Sequence, residues 1–146
     1  MTIIYRNPVV VAVGLIPVWR NARVEVCGVI RGKKGDDGLG QIALVGGYIN
    51  EGESIEQGMA RETIEEIQLD TDPNGWWLMH SRHIPGKNLN LVFCCYGELF
   101  KTDVLATSTP SEEVSGFMYI NKETKLAFPT HAEAVQIYLT EPRYSW

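Results

Sequence analysis

Between Glu51 and Asp70 the chain carries seven acids (Glu51, Glu53, Glu56, Glu62, Glu65, Glu66 and Asp70) against one base, Arg61. That segment sums to −6, while the other 126 of the 146 residues sum to +1, so the net charge of −5 is local. Carboxylates at this density either stand in water as a solvated face or hold a hard cation through oxygen, Mg2+ or Mn2+. On a helix at about 100° per residue, Glu62 and Glu66 lie one turn apart, with Glu65 just beyond and Arg61 beside it. Like charges at these spacings cost a helix about 0.2–0.5 kcal/mol per pair. Solvated acidic faces usually interleave bases to offset that cost, and here only Arg61 is available. A divalent cation would turn the repulsion into coordination. Residue type and spacing alone leave both readings open.

Order along the chain adds a second signal. Gly47-x5-Glu53-x7-Arg61-Glu62-Thr63-Ile64-Glu65-Glu66-Ile67-Gln68-Leu69 resembles the Nudix box, GX5EX7REUXEEXGU, where U is a bulky aliphatic residue. Gly47, Glu53, Arg61, Glu62, Glu65, Glu66 and Leu69 fall in register. Thr63 stands at an aliphatic position, and Gln68 replaces the glycine that follows the helix. Glycine accepts positive φ at a helix exit far more readily than glutamine, so this departure bears on how the helix ends. Ile42–Gly47 supplies the strand and glycine pair that lead into the box, with Val45 where many members have proline.

The resemblance implies an α/β fold, a Nudix-type α/β/α sandwich with a mixed β-sheet flanked by helices, filling residues 1–146 as a single domain. It implies Mg2+-dependent cleavage of the pyrophosphate of a nucleoside diphosphate linked to another moiety, with Mn2+ as the alternative ion. Carried over residue by residue, Glu62 and Glu66 are the main metal ligands, Glu65 assists and a Gly46 carbonyl completes the shell. Arg61 pairs with Glu53 and Glu65 and holds the carboxylates in place. The general base is either a box glutamate or one of two loop acids, Glu112 and Glu113. A diphosphate is itself anionic, so an acidic helix would repel it without an intervening cation.

Substrate choice rests on less. Pro85 lies 16 residues beyond Leu69, a placement similar to the ADP-ribose pyrophosphatase branch, which makes an ADP-ribose-like molecule the lead substrate. A nucleoside triphosphate pyrophosphohydrolase and a non-catalytic nucleotide sensor are the alternatives. Trp77, with Trp76, Phe93 and Tyr96, could stack a base, although strand aromatics are more often core. Arg31 and Lys33, with Lys34, Arg82 and Lys87, could steer a phosphate-rich ligand. Gly32–Gly40 lacks GxxxxGK[ST] and a following helix, so it is not a P-loop. His80, His83 and His131 share no ligand spacing and receive no role.

These groups need a scaffold. Val9–Val18 is a near-continuous β-branched run, expected as a central strand buried on both faces. Arg23–Arg31 and Gln41–Val45 read as strands around a glycine-rich turn. Ser54-x-x-Gln57 is a capping box that should open a helix to about Ile67, whose core face would be Ala60, Thr63, Ile64 and Ile67. Trp76–Arg82, Asn88–Phe100 and Gly116–Ile120 read as further strands. Thr130-x-x-Glu133, a second capping box, should start a helix ending near Pro142, with Val135, Tyr138 and Leu139 as its apolar stripe.

Composition excludes several classes. With 45% hydrophobic and 21% charged residues the chain is that of an ordinary globular domain. The missing basic stripe argues against a nucleic-acid partner. The ten-residue apolar run is too short to span a bilayer and lacks a signal peptide's flanks, so no membrane role is expected. Cys27, Cys94 and Cys95, an odd number without CxxC spacing, read as small buried residues in a reducing cytoplasm. No extra N-terminal domain is expected, which leaves a simple two-fold homodimer open.

Overall fold

The computed structural model describes residues 2–4, 6–32 and 37–146. Among the described residues seven strands form a mixed sheet covered by an α-helix on each face, the α/β layering of a sheet flanked by helices that the element order led one to expect. The Val9–Val18 run is two strands, β1 (Val9–Leu15) and β2 (Pro17–Arg20). Pro17 has no N–H to continue a ladder, and the break at Ile16 lets the chain change neighbours. β1 pairs parallel with β6 (Leu89–Tyr96) and antiparallel with β4 (Ile42–Tyr48), whereas β2 pairs with β3 (Arg23–Arg31). β3 also pairs with β4 and with β7 (Val114–Ile120). β5 (Trp76–Ile84) closes the far edge against β6.

Period-two alternation splits β1 between two cores. Ala12 packs with Met59, Ile67 and Trp76 beneath helix α1 (Ile55–Ile67). Val13 and Leu15 pack with Phe93, Val135 and Tyr138 beneath helix α2 (Pro129–Thr140). The three cysteines are free and buried, and burial pushes the Cys27 and Cys94 thiols up to about 12. Among the described residues no helix is long and apolar enough to cross a membrane.

α1 starts as its capping box requires. Ser54 Oγ accepts from Gln57 N at 3.1 Å, and Gln57 Oε1 accepts from Ser54 N at 2.8 Å. Its buried face differs from the expected one: Met59, Ala60, Thr63 and Ile67 face the sheet, while Ile64 is 49% exposed. The helix is rotated so that Glu62, only 9% exposed, turns inward instead. α2 also departs from expectation, because it starts one residue before Thr130. Pro129 occupies its first turn, where a missing N–H costs nothing, and the N-cap, Phe128, makes no side-chain cap bond. Leu139 is only partly buried.

β4 runs on through Gly46 and Gly47 and belongs to two ladders in succession. Ile42–Leu44 face β3, and Val45–Tyr48 face β1. At this handover Leu44 N donates to His131 Nδ1 on α2 at 3.2 Å. Burial, with Arg31 adding to it, holds the His131 imidazole down at about 4, below the usual 6.5. The folded state therefore favours the neutral ring. Its contribution is fully present above about pH 6.5 and is lost as pH falls towards about 4. His131→Asn keeps an acceptor near the Nδ1 position but cannot take up the proton. Between pH 7 and pH 4.5 the wild type should lose up to about 3 kcal/mol more stability than this variant, measured from urea unfolding midpoints.

Candidate active site

Arg61 organises the acidic helix. Its Nε donates to Glu53 Oε2 at 3.0 Å and Nη2 to Glu53 Oε1 at 2.6 Å, a two-pronged clamp. Nη2 also reaches the Tyr48 carbonyl at 2.8 Å, while Nη1 donates to Glu62 Oε1 at 2.9 Å and Glu65 Oε2 at 3.1 Å. All five guanidinium N–H groups are thus engaged. The hydrogen bonds from Arg61 hold the Glu53 carboxyl below its ordinary range, helped by Asn50 N at 2.8 Å. The same bonds push the guanidinium still further from deprotonation.

Glu62 and Glu66 point from α1 onto the glycine pair of β4. Gly46 N donates to Glu66 Oε1 at 2.7 Å. A Cβ at Gly47 would lie 2.3 Å from Glu62 Oε1, so any side chain there would displace that carboxylate. Burial raises Glu62 above its usual range, against the pull of Arg61. Burial pushes Glu66 up to about 8, opposed by the Gly46 amide and reinforced by the charges of Glu62 and Glu113. Arg31 pulls the other way on Glu66.

The two departures inside the box are both accommodated by new hydrogen bonds. Thr63 is fully buried, yet its hydroxyl donates to Ala60 O at 2.9 Å and meets Thr71 Oγ1 at 3.1 Å. Thr71 in turn accepts from Trp76 Nε1 at 2.9 Å, so no polar group of the three is stranded. Gln68 takes the left-handed conformation, φ 53 and ψ 40, and its N–H caps Ile64 O. The tight exit survives without glycine, at a backbone cost of about 1–2 kcal/mol. The Gln68 side chain accepts from Thr109 N at 2.6 Å, tying it to the loop between β6 and β7.

The other sequence candidates are placed as follows. Glu112 and Glu113 are both exposed, and the charge of Glu113 acts on Glu62 and Glu66. Arg31 stacks over Phe128 at 5.0 Å and donates to Asp37 O at 2.7 Å; Lys33 and Lys34 lie outside the described residues. Pro85 opens the turn between β5 and β6, and that turn touches the loop at Asp37 through Lys87 at 2.7 Å. Trp77 is 68% exposed but alternates onto the α2 side, next to Tyr138 and Trp146. Trp76, Phe93 and Tyr96 are buried core, which removes them as a stacking surface. Gly46 meets Glu66 through its amide.

The family model described as NUDIX domain matches residues 8–137. The chain belongs to the Nudix family. Hydrolases of this family generally use a divalent metal. Among solved structures it is similar to the NUDIX domain of Shewanella oneidensis NrtR complexed with ADP ribose, with a TM-score of 0.69 and 18% identity over 90% of this chain and 86% of that one. A Caenorhabditis elegans Ap4A hydrolase binary complex gives 0.66 and 14%, over 88% and 93%. A MutT/nudix family protein from Enterococcus faecalis gives 0.68 and 18% over 82% of this chain but 46% of that one, so this chain spans under half of its length. No curated protein matches significantly.

In this Nudix domain the donor set suits a hard dication: carboxylate oxygens of Glu62, Glu65 and Glu66, two of them desolvated among like charges. Among the described residues no three such side chains are already drawn together into a cage. Instead Glu62 and Glu65 turn to Arg61, and Glu66 to the Gly46 amide. Residue-by-residue reading missed the Tyr48 carbonyl, which no side-chain pattern could reveal, and the Gln68–Thr109 link, which the odd glutamine did flag. The glycine pair gives a stability test. A Cβ at Gly46 meets the Ala12 backbone at 2.4 Å, whereas at Gly47 it meets only a side-chain end. Gly46→Ala should cost about 1–3 kcal/mol and Gly47→Ala clearly less, measured by thermal unfolding; the reverse order would count against this packing.

Proposed function

We propose that this Nudix domain, residues 1–146 as one unit, is an Mg2+-dependent hydrolase of the pyrophosphate linkage in a nucleoside diphosphate derivative, with ADP-ribose the lead substrate. The observation that carries this reading is the Glu62–Glu66 pair pressed onto Gly46-Gly47, with Glu62 oriented by a fully engaged Arg61 and Glu66 by the Gly46 amide. The ADP-ribose bound to a structural neighbour supports the choice of substrate. Glu62, Glu66 and Glu65 would hold the ion, which supplies charge neutralisation at the phosphate oxygens and a more acidic water. Arg61 keeps three carboxylates at fixed spacing without touching substrate. Glu113, whose charge acts on Glu62 and Glu66, would accept a proton from the attacking water.

A nucleoside triphosphate pyrophosphohydrolase is the second reading, supported by the likeness to a MutT/nudix protein. A nucleotide sensor would not need the full box of carboxylates that this chain keeps. Product release from ADP-ribose, NADH, diadenosine polyphosphates and dNTPs, with Mg2+ or Mn2+, separates the three. Release from ADP-ribose supports the lead, release from dNTPs the second reading, and release from none the sensor.

Glu66→Gln should lower metal-dependent turnover on the order of 100-fold or more. Its metal-free melting temperature should not fall, because burial already disfavours the charge of Glu66 and an amide of the same shape carries none. Unchanged turnover would remove Glu66 from the reaction. Arg61→Ala should weaken Mg2+ affinity about tenfold or more by calorimetry, although Arg61 is no ligand. Unaltered affinity would show that its pairing does not matter to the ion.

A further inference from the structure

The loop between β6 and β7 is fastened along its length. Tyr119 Oη donates to Asp103 and accepts from Leu105 N at 3.1 Å, anchoring its first half. Ser108 Oγ donates to Ile67 O at 2.6 Å, and Thr109 donates to Gln68 Oε1 through N at 2.6 Å and Oγ1 at 3.4 Å. Ser111 N bonds Val114 O at 2.8 Å, and Gly32 N bonds Glu113 O at 2.9 Å. Three residues separate the Thr109 anchor from Glu113, and the Ser111 turn among them takes up most of their freedom. The loop therefore hangs on the last residues of the acidic helix, and its far end carries Glu113, whose charge acts on Glu62 and Glu66.

The glutamine at the glycine position makes this attachment. Glycine could take φ 53 without strain but could not reach Thr109. Here a costly backbone conformation is kept, and the side chain it presents seats a neighbouring loop. We infer that Gln68 is a positioning residue for hydrolysis, which through Thr109 fixes the loop so that Glu113 faces Glu62 and Glu66. This rests on the functional reading above and extends it to a residue outside the set of charged groups.

Gln68→Gly in the full chain separates positioning from stability. Glycine accepts the left-handed cap, so the melting temperature should stay level or rise. Turnover of ADP-ribose at saturating Mg2+ should nonetheless fall about 10- to 100-fold, with KM changed by less than about twofold. Gln68→Glu keeps an oxygen acceptor at the same reach and should retain most of the turnover. In a Glu113→Gln background, Gln68→Gly should cost no more than about twofold, because both changes act on one group. Amide exchange at Thr109 should accelerate in Gln68→Gly and not in Gln68→Glu.

An active wild type whose Gln68→Gly form keeps its turnover overturns the inference alone. So does full additivity with Glu113→Gln, which would mean that the loop serves stability or another group. A wild type that cleaves none of the tested substrates overturns the functional reading, and this inference with it.

Discussion

Five hydrogen bonds from one guanidinium set the geometry on which the site depends. Arg61 joins Glu53 before the helix, Glu62 and Glu65 on it, and the Tyr48 carbonyl at the end of β4. Lysine could not replace it, since a single ammonium has three donors and no planar fork. The negative segment is tolerable in the fold because its one cation lies at its centre. Glu66, beyond the reach of Arg61, is held by the Gly46 amide instead and keeps the most strongly perturbed carboxyl of the helix.

Where side-chain type dictates geometry, the sequence was readable. The Ser54 capping box, β3 from Arg23 to Arg31 and the alignment of Arg61 with its acids all lie where pattern puts them. What pattern could not supply was rotation and handedness of faces. Ile64 looks like core on a helical wheel but faces solvent, because Glu62 is drawn inward against Gly47. Thr130 looks like a cap, yet Pro129 starts the helix earlier at no hydrogen-bond cost. Trp77 and Trp76 differ by one position and so land on opposite faces of the sheet. His131 shows no ligand spacing, and its role emerges only where β4 leaves one ladder for another.

The two departures from the box illustrate how a substitution is absorbed. Thr63 brings a hydroxyl into the core, and the chain Trp76–Thr71–Thr63–Ala60 passes its hydrogen-bonding needs along to a helix carbonyl. Gln68 brings backbone strain, met by contacts with a distant loop. In both cases a local conflict between residue and position is resolved by a longer-range contact, so the local and tertiary levels no longer repeat the same information.

β4's membership of two ladders has a mechanical corollary. A strand held on a single side can slip by one residue, reversing which face every side chain occupies. Slippage here would break pairing with β3 and β1 together and tear Leu44 from His131. The glycine pair is thus indexed against the sheet like a tooth in a ratchet. The carboxylates read their position from that index, so the alignment of Glu62 and Glu66 is set by strand register as much as by the helix that carries them.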